Sequence, residues 1–411
     1  MPKGTLRMLT ALLALSLASY GHANLASTDK TLGQQAALGL SRLQEAAQAG
    51  SARAQYELGV AYLQGQSVRK DPALAVSWFR RAAEQGLAQA QVNLGYAYDK
   101  GEGVGRDASL AVSWYRKAAD QGEAQGQYNL GLCYKQGDGV PQDPAKAVEW
   151  YTKAAAQQHP TALNDLGSFY RMGIGVRQDV AKAASLYRQS AELGDPFGQN
   201  NLAQAYAAGT GVERDPEQAV VWFRKAALQG YPDAQFNMGM AYNQGFGVEK
   251  DDAHALGWYQ KAAEQGHAPA QFKVGLASAS GIGGPPDYPL AFSWFSKSAQ
   301  QHFAAAQYML GLMYRDGAGV GKDLEQSTRW VTKAAEQGHP NALYDLGQSY
   351  ELGRGVAQDP TRAYVLYRLA EQTGDPSLPS PRSQIMAMAL SSQQLKKAES
   401  MTASWPVGSG D

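Results

Sequence analysis

The sequence predicts an all-α protein: an α/α solenoid of about nine helical hairpins with helical caps at both ends. Three observations predict it. A Leu-Gly pair or a close variant returns every 36 residues, from Leu58-Gly59 to Leu346-Gly347, with no insertion between copies. Within each period the apolar residues fall three and four apart, the spacing of a helix face and not of a strand. Glycine is enriched (45 of 411 residues) while proline is not (18), which suits turns at fixed places in a repeat.

The first helix of a repeat is read from Ala54, Leu58 and Tyr62, which share one face. The aromatic column continues through Tyr98, Tyr134, Tyr170, Tyr206, Tyr242, Tyr314 and Tyr350 and is broken at Ser278. Gly59 lies beside that face, where it admits a close neighbour, and Gly65 ends the helix. A Gly-x-Gly-Val-x-x-Asp loop follows, as in Gly101 to Asp107. The Asp stands just ahead of the second helix in every copy: Asp71, Asp107, Asp143, Asp179, Asp215, Asp251, Asp287, Asp323 and Asp359. That place makes it an N-cap. Ala111, Trp114 and Ala118 form the apolar face of the second helix, with Trp expected as its large core side chain. Leu186 and Leu366 stand in for Trp in two copies, and Gly122 marks the closing turn. A lone hairpin cannot cover its apolar face, whereas stacked hairpins can.

These columns, clearest in Ala234 to Gly266, closely resemble the Sel1-like repeat, a relative of the tetratricopeptide repeat. The resemblance implies a right-handed superhelix of nine units starting at 54, 90, 126, 162, 198, 234, 270, 306 and 342 and ending near 375. A capping helix within 24–53 is expected to precede them, with Ala46-Ala47 and Gly50 in register, and capping helices and a tail to follow over 376–411.

Residues 1–23 read as a secretory signal peptide. Lys3 and Arg7 precede an apolar run from Met8 to Ser19, and Gly21-His22-Ala23 is a small-x-small cleavage site. The run is too short to span a membrane. Cleavage after Ala23 leaves 35 basic against 37 acidic residues, a charge of −2. The expected location is therefore periplasmic or secreted, with no membrane span once the leader is removed.

A near-neutral chain carries no basic footprint for nucleic acid. Its single cysteine, Cys133, forms no internal disulfide and no Cys-built metal cluster. The reading at Cys133 is a buried small hydrophobe. His159, His267 and His339 share a column past the second helix and read as turn residues, one repeat apart and too distant to share a metal. The Gly-x-Gly pairs follow no strand and precede no Gly-Lys-Ser/Thr, so they are not a phosphate loop. No nucleophile–base pair and no paired-carboxylate cleft can be placed. No catalytic residue, metal or cofactor is expected, and the chain reads as a non-enzyme.

The expected working surface is the concave face of the first helices. One column reads Tyr56, Val92, Tyr128, Asn164, Asn200, Phe236, Phe272, Tyr308 and Tyr344. The next reads Val60, Tyr96, Leu132, Ser168, Gln204, Met240, Leu276, Leu312 and Gln348. Two apolar stretches flank a polar middle. These side chains either pack between adjacent first helices or line a groove for an extended protein or peptide partner. The chosen reading is a monomeric protein-binding scaffold. One rival is a cell-envelope module binding peptidoglycan or another polysaccharide. A second, implied by some secreted relatives, is a β-lactam-interacting enzyme; those relatives carry paired cysteines that this chain lacks. Repeat seven departs most, with Ser278, Gly284-Pro285-Pro286, Ser298 and His302 at columns that are regular elsewhere.

Overall fold

The computed structural model describes residues 39–376, 378–379 and 381–405. The leader and its cleavage site lie outside them. All regular structure among the described residues is helical, in antiparallel pairs. The chain divides into two compact segments, Met1–Gln157 and Gln158–Asp411. The first holds a helix over 39–48 and the hairpins Ala52–Gln64/Pro72–Glu84, Ala88–Lys100/Ala108–Asp120 and Ala124–Gln136/Pro144–Ala156. The second holds six further hairpins, from Pro160–Met172/Val180–Glu192 to Pro340–Leu352/Pro360–Gln372. The helices Ser383–Met388 and Ser392–Ser404 close it, both in contact with Pro360–Gln372.

Each hairpin is built by the predicted signals. All nine Asp residues cap the second helix: Asp71 Oδ1 accepts from the Leu74 N–H at 2.9 Å, and the other eight repeat the bond. The Asp71 N–H in turn donates to the Tyr62 carbonyl at 2.9 Å, which fixes the loop between the helices. Gly65 ends the first helix in the left-handed region, at φ 73°. A Cβ on Gly59 would come within 2.7 Å of the Phe79 ring, so this position brings the two helices together face to face.

The second glycine of the loop has a different task. A Cβ on Gly103 would lie 2.2 Å from the Pro72 carbonyl oxygen, at the start of the preceding repeat's second helix. Gly139, Gly211, Gly247, Gly319 and Gly355 meet the preceding repeat in the same way. Among the described residues only the helix over 39–48 precedes repeat one, and there alone the column holds a serine, Ser67, at φ 59°.

The depth of the core corrects one expectation. The largest buried side chain of each second helix is not Trp but the residue after it: Phe79 is 2% exposed, Tyr151 and Phe295 0%, Tyr187 2%. Trp78 and Trp222 are half-buried and pack on clusters that join their own first helix to the helix before it: Ala47, Ala54 and Leu58 for Trp78, and Ala183, Tyr187, Ala191 and Leu202 for Trp222. A cation three residues on covers each indole, as Lys225 Nζ does 3.7 Å above Trp222 and Arg81 4.6 Å above Trp78. The Trp is a hinge pin between repeats, and the following aromatic fills the hairpin.

Candidate partner-binding face

The first-helix ring column forms a layer between three elements. Tyr56 lies on Phe79 (ring centroids 5.9 Å apart), Tyr128 on Tyr151 (5.6 Å), Phe236 on Tyr259 (5.6 Å), Phe272 on Phe295 (5.7 Å) and Tyr344 on Tyr367 (5.2 Å). The residue ahead of the following first helix closes the other side. Phe236 meets His267 at 4.9 Å, Phe272 meets Phe303 at 5.4 Å and Tyr308 stacks on His339 at 4.9 Å. Val92 and Tyr344 are buried, and the other apolar members of the column half-buried. Much of the ring area is thus spent inside the repeat stack, and a partner would meet ring edges.

The polar middle is internally paired. Asn164 and Asn200 are 6% and 4% exposed. Asn201 Nδ2 donates to Asn164 Oδ1 at 2.7 Å, and Asn237 Nδ2 to Asn200 Oδ1 at 3.0 Å. This amide ladder ties repeats four, five and six along their first helices. A buried amide without such partners would be costly, so the ladder is a structural feature that commits the Asn164 and Asn200 oxygens within the stack. The partners at Asn201 and Asn237 belong to a neighbouring column that the sequence reading did not single out. Their signal was visible as Asn, Asp or Glu recurring one residue after the ring column.

The second column offers the accessible side chains. Tyr96 is 42% exposed, with Lys100 Nζ 5.8 Å from its ring centre. Gln204 is exposed, while Val60, Leu132, Ser168, Met240, Leu276, Leu312 and Gln348 are half-buried.

Charged groups border the face in the second segment. Tyr308 donates to Asp345 Oδ2 at 2.9 Å, and Arg315 Nη1 reaches the same oxygen at 3.5 Å. Burial pushes the Asp345 carboxyl upward, opposed by those two partners. Asp233 is held low, first by His267, whose Nε2 is 3.2 Å away. His267 Nδ1 accepts from the Ala270 N–H, so Nε2 bears the proton that faces Asp233. His159 and His339 cap their helices in the same manner, through Ala162 and Ala342. The histidine column therefore lies in turns, as read, and also has a capping role that sequence spacing did not reveal.

Among the described residues, no three His, Cys, Asp or Glu side chains are grouped so as to hold a metal ion. Cys133 is buried and its thiol is pushed up to about 12, chiefly by burial, so it is a poor nucleophile. No described helix is long and apolar enough to cross a membrane.

The Sel1 repeat model matches nine consecutive segments: 52–87, 88–123, 124–159, 160–195, 196–231, 232–267, 268–303, 304–339 and 340–375. Among solved structures, a protective antigen present in uropathogenic Escherichia coli strains, described as displaying an SLR fold, is 35% identical. The alignment covers 91% of this chain and 90% of that one, with a TM-score of 0.56. A Sel1 repeat protein from Oxalobacter formigenes is 34% identical over 82% of this chain and 99% of its own, with a TM-score of 0.58. No curated protein matches the chain.

Proposed function

The chain belongs to the Sel1 repeat family, and on that premise we propose that it is a non-enzymatic scaffold binding an extended protein partner along the exposed face of its first helices. The observation that carries this reading is the division of labour on the first helix. Leu58 and Gly59 are buried in the hairpin and Tyr62 packs at the repeat junction, whereas the column of Val60, Tyr96, Leu132, Met240, Leu276 and Leu312 is left half-buried or exposed. Met240 and Leu276 also brace core clusters of the stack, whereas Tyr96, 42% exposed, leaves apolar surface of this column open to a partner. Within each segment the apolar members of the column recur one repeat apart, which suits a partner held along successive repeats. The ring edges of Tyr56, Tyr128, Phe236, Phe272, Tyr308 and Tyr344 border the face, with Asn164 and Asn200 stiffening its middle.

Protein is a better fit than polysaccharide. Sugar rings stack on open aromatic faces, and the indoles of Trp114, Trp150, Trp222, Trp258, Trp294 and Trp330 each have a lysine Nζ within 4.2 Å of the ring centre. The leader pattern of residues 1–23 supports export, with the monomeric scaffold acting in the periplasm or beyond. The description of the Escherichia coli relative as a protective antigen agrees with a location outside the cytoplasm.

Photo-crosslinking in intact cells tests this directly. A benzoylphenylalanine at Tyr96, Met240 or Leu312 is expected to trap a discrete protein partner, and one at Glu84 or Glu336 on the second helices is not. Crosslinks confined to the second helices would overturn the assignment of the face.

A further inference from the structure

The loop of repeat seven is built unlike its sisters, and its chemistry is that of a ligand, not of a linker. Elsewhere the loop carries a valine, as at Val68, Val248 and Val320, and the last two pack against core clusters. Repeat seven has Gly284 there. Two residues later, five repeats use a side chain to bind a first-helix carbonyl, as Arg106 does to Asp99 at 3.0 Å and Gln358 to Glu351 at 2.8 Å. Repeat seven has Pro286, which cannot donate. Two stabilising features of the repeat are therefore missing from the same seven-residue loop.

In their place stands Pro285-Pro286-Asp287-Tyr288, which contains the one Pro-Pro pair in the sequence. Every residue from Ile282 to Leu290 is exposed, with the Tyr288 ring at 49% and Leu290 at 45%. Consecutive prolines hold φ near −65° and force the residue before each of them into extended backbone. Asp287 continues that run at φ −125°, ψ 90°. The segment is pinned at its end, because the Asp287 N–H donates to the Ser278 carbonyl at 2.8 Å and Asp287 Oδ1 accepts from the Leu290 N–H at 2.8 Å. Tyr288 is then held at the first turn of Tyr288–Gln300, one residue beyond the proline pair, after a bend at Gly284 and Pro285.

We propose that this loop is a docking motif for a protein domain of the WW type, whose aromatic-lined groove clasps two consecutive prolines and takes the tyrosine ring beside them. A proline-rich extended segment is recognised this way because it is already ordered and presents no unpaired amide to desolvate. Fixing both ends of the loop reduces the ordering cost further. The site lies on the loop edge of the hairpin, apart from the first-helix face, and does not depend on the function proposed for that face.

The test is fluorescence anisotropy with the full chain and two labelled probes: a WW domain selective for Pro-Pro-x-Tyr peptides, and an SH3 domain. Saturable binding to the WW domain is expected, at least tenfold weaker for Tyr288→Ala and for Pro286→Gln. The glutamine restores the side-chain donor found in sister repeats, so Pro286→Gln should melt at or above the temperature of the unaltered chain, and Tyr288→Ala, which removes an exposed ring, within a few degrees of it. No saturable WW binding, binding by the two variants as tight as that of the unaltered chain, or equally tight binding of the SH3 domain would overturn the proposal.

Discussion

Gln85 Nε2 donates to Gln55 Oε1 at 2.7 Å, and Gln55 passes a second bond from its own Nε2 to the Ala47 carbonyl at 3.1 Å. The relay joins three helices: the second helix of one repeat, its first helix, and the end of the helix before. It recurs at Gln121–Gln91, Gln157–Gln127, Gln229–Gln199, Gln265–Gln235, Gln301–Gln271 and Gln337–Gln307. In the two remaining repeats both partners are replaced together, by Leu163 with Leu193 and by Leu343 with Thr373. Gln235 is 5% exposed, so Gln265→Leu leaves a buried amide oxygen short of a donor, at a cost of about 1–2 kcal/mol. Gln235→Leu combined with Gln265→Leu should recover at least half of that loss. A double-mutant cycle on thermal melting reads the coupling, and additive losses would show that the pair is not a unit.

The side chain after Trp should dominate hairpin stability. Tyr259→Ala is expected to cost about 3–5 kcal/mol locally, and Trp258→Ala less, because Trp258 is half-buried. The Tyr259 hydroxyl is buried with no hydrogen-bond partner, and burial pushes its pKa up to about 12. Phe79, Phe223 and Phe295 occupy the same column. Tyr259→Phe should therefore leave stability unchanged or raise it by up to about 1 kcal/mol. Segment-resolved hydrogen exchange checks all three variants, and a larger loss for Trp258→Ala would reverse this ranking.

Two residues sit in the left-handed region where the seven other repeat ends have glycine: Gln158 at φ 60° and His302 at φ 64°. A side chain there costs about 1 kcal/mol. His302→Gly should raise the melting temperature despite the added freedom of the unfolded chain, and a lower melting temperature would mean that the His302 ring makes a compensating contact.

Acid should weaken the histidine-capped junctions. Burial holds His159 and His339 below the ordinary imidazole value, and for His339 the charges of Asp375 and Asp345 oppose it. The folded chain therefore favours the neutral ring, whose Nδ1 accepts the capping N–H, while the unfolded chain takes up protons first. This contribution is complete above about pH 6.5 and declines as the pH falls toward the lower folded values. Asn caps a helix without titrating, so the melting difference between the wild type and a chain carrying His159→Asn with His339→Asn should shift against the wild type as the pH is lowered from about 7.5 to 5. Asp195, whose carboxyl burial raises, titrates in both proteins and cancels in that difference, whereas Asp345 interacts with His339, so His159→Asn alone gives the comparison free of it. A difference that stays constant with pH would remove the histidines from the pH response.

Much of this architecture was legible because each signal is local and repeated. The Asp caps, the Gly65-type helix ends and the Leu58/Tyr62 face follow from spacing alone. What escaped the sequence depends on the neighbouring repeat. The exchange of depth between Trp78 and Phe79 is set by which ring faces the hairpin and which faces the repeat before it. The Gln85–Gln55 relay joins residues 30 apart, and the Asn201–Asn164 ladder residues 37 apart, spacings that no single-helix pattern reveals. The candidate face was located by its columns, whereas its division into buried rings and accessible second column required the packed structure.

The most direct test of the scaffold reading is the affinity of the crosslinked partner for Tyr96→Ala and Leu312→Ala, measured beside their melting temperatures, with Glu336→Ala on a second helix as control. Exposed or half-buried apolar anchors at an interface commonly account for 2 kcal/mol or more. The account predicts at least tenfold weaker binding for Tyr96→Ala and Leu312→Ala in chains that melt within a few degrees of the parent, with no change for Glu336→Ala. Unaltered affinity in folded Tyr96→Ala and Leu312→Ala chains, with loss in Glu336→Ala, would contradict it.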